Sequence, residues 1–155
     1  MFFIILVAII IVVQLFIFVD TEGKPNKTVE FNGKIYKVST KRFNLIQRAQ
    51  QGDEKAQYEI ITEYYEAGRS KQFIAELCFF YTEKLAEKDL GVLTELGDLY
   101  FEGVGTERDT VKAAEMYRKA LEIYDNNVSG VYIPERSDDY RKFLQTTLEK
   151  YEAER

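Results

Sequence analysis

The chain has 155 residues, with 21 Lys and Arg against 26 Asp and Glu, for a formal net charge of -5. That length is one domain or a small domain with appendages, and an acidic balance argues against nucleic acid as a partner, because phosphate binding needs a basic face. The chain holds 0 His and 1 Cys, which removes the commonest general base, the commonest transition-metal ligand, any intramolecular disulfide and any thiolate metal cluster.

Residues 2–19, FFIILVAIIIVVQLFIFV, carry no charge. As a helix they would span about 27 Å, close to the thickness of a hydrocarbon core. A segment apolar on every side belongs in lipid or a deep core, and the remaining chain is too small to enclose it. The expectation is a transmembrane helix over 2–19, so that the lipid bilayer is one partner and the protein is single-pass, in a bacterial inner membrane. A cleaved signal peptide would want a positive start, a shorter apolar run and a small-x-small site, and Phe16, Phe18, Val19 and Asp20 offer none. Lys24, Lys27, Lys34 and Lys37 follow the span and no basic side chain precedes it. The positive-inside rule then favours a cytoplasmic over a periplasmic carboxyl-terminal part.

Residues 20–27 read as a linker with Gly23 and Pro25 as breakers. Residues 28–38 read as a β-hairpin: Val29 and Phe31 precede Asn32-Gly33, and Ile35, Tyr36 and Val38 follow it. Asn-Gly is the favoured two-residue turn because both positions take positive φ. An isolated hairpin is marginal in water, so it is expected to dock on the first helix, the alternative being an edge that takes a partner strand.

Helices are then expected over 40–51, 53–67, 70–87, 89–102 and 108–125, which makes the fold class all-α. Ala56, Ile60, Ile61 and Tyr64 should face inward on the second, and Cys78 should be a buried structural thiol beside Ile74, Leu77, Tyr81 and Leu85 on the third. A loop covers 125–134. Ser137, with Asp138 and Asp139 behind it, is a good start for a last helix within 136–153, since its hydroxyl can cap and the carboxylates suit the positive end. Tyr140, Phe143, Leu144, Leu148 and Tyr151 share one side of that helix, which is expected to cap the preceding elements.

One period runs through the helical part. Tyr64, Tyr65 and Glu66 fall 36 positions before Tyr100, Phe101 and Glu102; Ile60 precedes Leu96, Tyr81 precedes Tyr117, and Leu85 precedes Leu121 by the same offset. A period of that length indicates helical hairpins that stack to bury the apolar faces none can cover alone, hence a short α-solenoid over 40–125. The second copy resembles a Sel-one-like repeat, a relative of the tetratricopeptide repeat. Leu96-Gly97, Tyr100, Gly103-x-Gly105, Lys112-Ala113, Tyr117 and Lys119-Ala120 carry the resemblance. It covers roughly 44–122 and is strong from 92 onward. Gly97 should let two helices approach, Gly103 and Gly105 should take backbone angles other residues resist, and Ala113 and Ala120 should sit small at the crossing while Tyr100 and Tyr117 fill the groove. The first copy departs: Ala67 and Arg69 replace the loop glycines, and Leu77 and Lys84 replace the alanines.

The resemblance implies protein–protein interaction through the repeat surface, with the first helix of each hairpin lining the inner face. The carboxylates there are Glu59, Glu63, Glu66, Glu95, Asp98 and Glu102, a strip that would receive a basic peptide or helix of a protein partner. Phe79, Phe80 and Tyr124 are the rival face if exposed. No catalytic, cofactor or metal residues are expected: Gly103-Val104-Gly105 lacks the rest of a phosphate loop, and no Gly-x-Ser-x-Gly elbow is present. The function these observations favour is a membrane-anchored adaptor or scaffold. An immunity or inhibitor protein that neutralises a toxin or secreted effector by direct binding is the alternative. An enzyme would need a deep polar pocket around a strongly shifted carboxylate, and no motif points to one.

Overall fold

Asn32 and Gly33 both lie at positive φ, 49° and 72°, and this pair turns the chain back on itself between β1 (Lys27–Phe31) and β2 (Lys34–Val38). The strands pair antiparallel, Val29 opposite Tyr36 and Glu30 opposite Ile35. The computed structural model describes residues 26–66, 72–134 and 136–154, so the expected span at 2–19 and nearly all of the linker lie outside the described residues. Among the described residues no helix is long and apolar enough to cross a membrane. Six helices and the two strands make this part of the chain all-α with a small sheet. It divides into two compact units, the first ending at Ala56 and the second beginning at Gln57.

In the first unit the hairpin docks as expected. Val29 and Val38 are buried, β1 lies against α1 (Thr40–Gln50), Thr40 Oγ1 donates to Asn26 Oδ1 at 2.8 Å, and Lys27 Nζ sits 5.9 Å from the centre of the Phe43 ring. Ile35 and Val38 are three positions apart in an extended strand and so point to opposite faces, which leaves Ile35 75% exposed. Ser39 caps α1 by accepting from the Arg42 N–H at 3.2 Å, and Leu45, Ile46 and Ala49 form its buried stripe. Asp53 accepts from the Arg48 guanidinium at 2.9 Å and from the Ala56 N–H at 3.2 Å. The Arg48 bond holds its carboxyl below the usual carboxylate range. Helix α2 (Glu54–Glu66) starts at that cap and continues into the second unit.

The second unit holds the rest of α2 with α3 (Gln72–Leu85), α4 (Leu90–Glu102), α5 (Thr110–Asn126) and α6 (Asp138–Ala153). Helix α4 is the hub: it packs against both α3 and α5, and Leu90, Leu93, Leu96 and Leu99 are buried along it. Helix α4 begins and ends 36 positions after α2, and both start at an aspartate cap, Asp53 and Asp89. The paired side chains Ile60 and Leu96, Tyr64 and Tyr100, and Tyr81 and Tyr117 are all buried; Leu85 is buried and Leu121 half-buried.

Glycine positions account for how close these helices lie. A Cβ on Gly97 would meet the Tyr117 ring at 2.8 Å and the Ala113 carbonyl oxygen at 3.3 Å, so α4 and α5 touch there with no room for a side chain. Gly103 ends α4 in the left-handed conformation, and the Val104 N–H reaches back to the Leu99 carbonyl at 2.9 Å. Gly105, at φ 69°, has the Ala75 carbonyl oxygen 2.2 Å from where a Cβ would stand, so the turn is pressed onto α3. Asp109 caps α5, and Ala113, Ala114, Tyr117 and Ala120 are buried on it.

Three expectations change. Helix α3 is shorter than 70–87, because Ala86, Glu87 and Lys88 turn rather than continue the helix. The stretch 125–134 is not a plain loop: the Tyr132 N–H donates to the Lys88 carbonyl and the Leu90 N–H donates to the Tyr132 carbonyl, each at 2.8 Å, which pins it beside the start of α4. On α6 only Leu144 and Tyr151 are buried. Phe143 is 48% exposed and Tyr140 and Leu148 are half-buried, because the neighbours of α6 cover a stripe narrower than its apolar pattern.

Candidate functional site

The six carboxylates of the expected strip lie on two helices and meet different fates. On α2, Glu59 and Glu66 are exposed and Glu63 is half-buried. On α4, Glu102 is exposed, whereas Glu95 and Asp98 are half-buried. The spacing of 95, 98 and 102 places these three on one helical face.

Asp98 is drawn inward. Its Oδ1 accepts from the Tyr117 hydroxyl at 2.9 Å and from the Tyr151 hydroxyl at 2.6 Å, so one oxygen joins α4, α5 and α6. The Tyr151 ring lies flat on Phe101 with centroids 4.0 Å apart and meets Tyr117 edge-on at 5.3 Å. Burial first, then the adjacent Asp98 charge, pushes the Tyr117 hydroxyl far above the usual phenol range; burial and the bond to Asp98 do the same for Tyr151. Both hydroxyls therefore stay protonated and remain donors. The sequence strip treated Asp98 as an outward carboxylate, yet the residue 36 positions earlier is Thr62. That break in the acidic pattern was the available signal that Asp98 serves its own chain.

Glu95 sits beside this tie. Burial pushes its carboxyl up to about 7, and the neighbouring charges of Asp98 and Glu102 add to the effect. The outer edge of α6 is held by ion pairs: Arg108 with Glu154 at 2.7 Å, Arg118 with Glu152, and Arg141 with both oxygens of Asp125 at 2.8 Å. Arg108 also donates to the Phe101 carbonyl at 2.9 Å, closing the end of α4. Sequence reasoning passed over these arginines, since nothing local marks them.

The rival aromatic face does not assemble. Tyr124 is buried, with its hydroxyl donating to the Ser137 carbonyl at 2.8 Å; Phe79 is half-buried and edge-on to Tyr100 at 5.2 Å; only Phe80 is exposed, at 42%. Cys78 is buried with Sγ 3.9 Å from Thr82 Oγ1, and burial pushes the thiol up to about 11, so it is inert as a nucleophile. Among the described residues no group of three His, Cys, Asp or Glu side chains is placed to hold a metal ion. No family model, curated protein or solved structure matches the chain.

Of the six expected carboxylates, Glu59 and Glu66 on α2 and Glu102 on α4 are exposed, while Asp98 and its tyrosines tie α4, α5 and α6 together. Exposed carboxylates on helices can pair with cations and steer a basic segment into contact.

Proposed function

We propose that this chain is a membrane-anchored interaction module of the Sel-one-like repeat type, in which residues 2–19 hold a short α-solenoid at the bilayer and the acidic outer positions of α2 and α4 receive a basic segment of a protein partner. The observation that carries this reading is the register of α2 and α4. Two helices of equal length, 36 residues apart, with equivalent caps and equivalent buried residues, place Glu66 and Glu102 at matching exposed sites. Duplication of an acidic site along stacked helices suits an extended basic ligand better than a compact one. Helix α6 then acts as the terminal cap, its outer side polar as a solenoid end requires.

The test compares full-length chain with the variant carrying Glu59→Lys, Glu66→Lys and Glu102→Lys, each tagged and cross-linked in native membranes. A single saturable protein partner should be captured by the parent chain, and its recovery should fall by roughly tenfold or more in the variant while helical circular dichroism is unchanged. Equal recovery from both removes the acidic face as the binding surface.

A further inference from the structure

Charge is divided unevenly along the chain. Up to Ala56 there are 8 basic and 5 acidic side chains; after it there are 13 and 21. The basic share concentrates in and around the hairpin: Lys24, Lys27, Lys34, Lys37 and Lys41 fall within a stretch whose one acid is Glu30. Lys27, Lys34, Lys37 and Lys41 are exposed. Among them stands Ile35, 75% exposed and the most open of the large apolar side chains among the described residues. A lone exposed isoleucine is ordinary on a protein surface; one set among lysines is the composition of an interfacial membrane contact.

We propose that the hairpin is a second membrane contact, in which Ile35 enters the headgroup layer and the surrounding lysines pair with anionic phospholipids. This rests on the reading of residues 2–19 as the membrane span. Seven residues lie between Val19 and Lys27, eight Cα–Cα steps, so a fully extended linker carries the hairpin no more than about 27 Å from the bilayer. At that tether length the hairpin meets the surface at a high effective concentration, and weak contacts suffice to hold it there. The net negative charge of the second unit gives it no such attraction to anionic lipid.

The experiment places a fluorophore at residue 35 through Ile35→Cys in the full-length chain; buried Cys78 leaves the new thiol as the reactive one. The labelled chain is reconstituted into vesicles of phosphatidylcholine alone or with phosphatidylglycerol added. The anchor is read separately, as resistance of the chain to alkaline carbonate extraction. Expected is retention in both vesicles, with label emission shifted to the blue and shielded from aqueous iodide only where phosphatidylglycerol is present. Adding Lys34→Gln and Lys37→Gln should lower the docked-to-undocked ratio by roughly thirtyfold. Loss of the chain on extraction overturns both the span and this proposal. Retention with the label equally open to iodide in both vesicles overturns the hairpin contact alone and leaves the span standing.

Discussion

Glu95→Gln should stabilise the protein, and only at the higher end of the pH range. In the folded chain burial holds the Glu95 carboxyl at about 7, against an ordinary 4.5. Between those values the folded chain keeps the proton and the unfolded chain releases it. The contribution of Glu95 to stability is therefore fullest below about pH 4.5, falls as pH rises, and reaches its floor above about pH 7, the reverse of a salt-bridged carboxylate. The full interval corresponds to about 3 kcal/mol. Glu95 is only half-buried, and solvent screening reduces this to roughly 1 to 2 kcal/mol. Glutamine keeps the shape and removes the charge, so the variant should gain that amount at pH 8 and almost nothing at pH 4. The assay is urea unfolding of the full chain in micelles, followed by far-ultraviolet circular dichroism at both pH values. A gain of equal size at pH 4 and pH 8, or a loss at pH 8, would refute the placement of Glu95 between Asp98, Glu102 and the buried tyrosines.

Gly105→Ala should cost roughly 2 to 4 kcal/mol, since the new Cβ would stand 2.2 Å from the Ala75 carbonyl oxygen at an unfavourable φ. Gly130→Ala is the comparison: it shares a positive φ of 86° but meets nothing within 4 Å, so it should cost only about 1 kcal/mol. Equal melting temperatures for the two variants would mean that the turn does not press on α3. Tyr151→Phe removes one donor from Asp98 and keeps the ring on Phe101, so it should lose about 1 to 2 kcal/mol. It should also speed amide exchange in α6 ahead of the other helices, and unaltered exchange there would show that α6 is held by its ion pairs and packing alone.

Features governed by near neighbours were legible in the sequence. Asn32-Gly33 announces its turn because two adjacent residues must tolerate positive φ, and Ser137 before two aspartates announces the start of α6 for reasons confined to one helical turn. The burial of the pair Tyr64 and Tyr100 followed from the period, which is local information written twice, while the close approach at Gly97, which stands 36 positions after Ile61, was expected from the smallness of glycine alone. Contacts between distant parts were not legible. The backbone bridge from Tyr132 to Lys88 and Leu90 uses no side chain at all, so no residue type signals it. Asp98 read as one of six surface carboxylates, because its partners lie 19 and 53 residues away and tyrosine is common in this chain. Phe143 had the right spacing for burial, but spacing says which side of a helix is apolar and not how wide a neighbour lies over it.

The convergence of Tyr117 and Tyr151 on a single oxygen of Asp98 bears on the order of events at the ribosome. When α4 and α5 emerge they can close on each other, with Tyr117 in place on that oxygen. Tyr151 follows the end of α5 by 25 residues, and only then can it bond Asp98 and lay its ring on Phe101. Until that moment Phe101 lacks the Tyr151 ring that stacks on it, so the tie between α4 and α6 forms later than the one between α4 and α5.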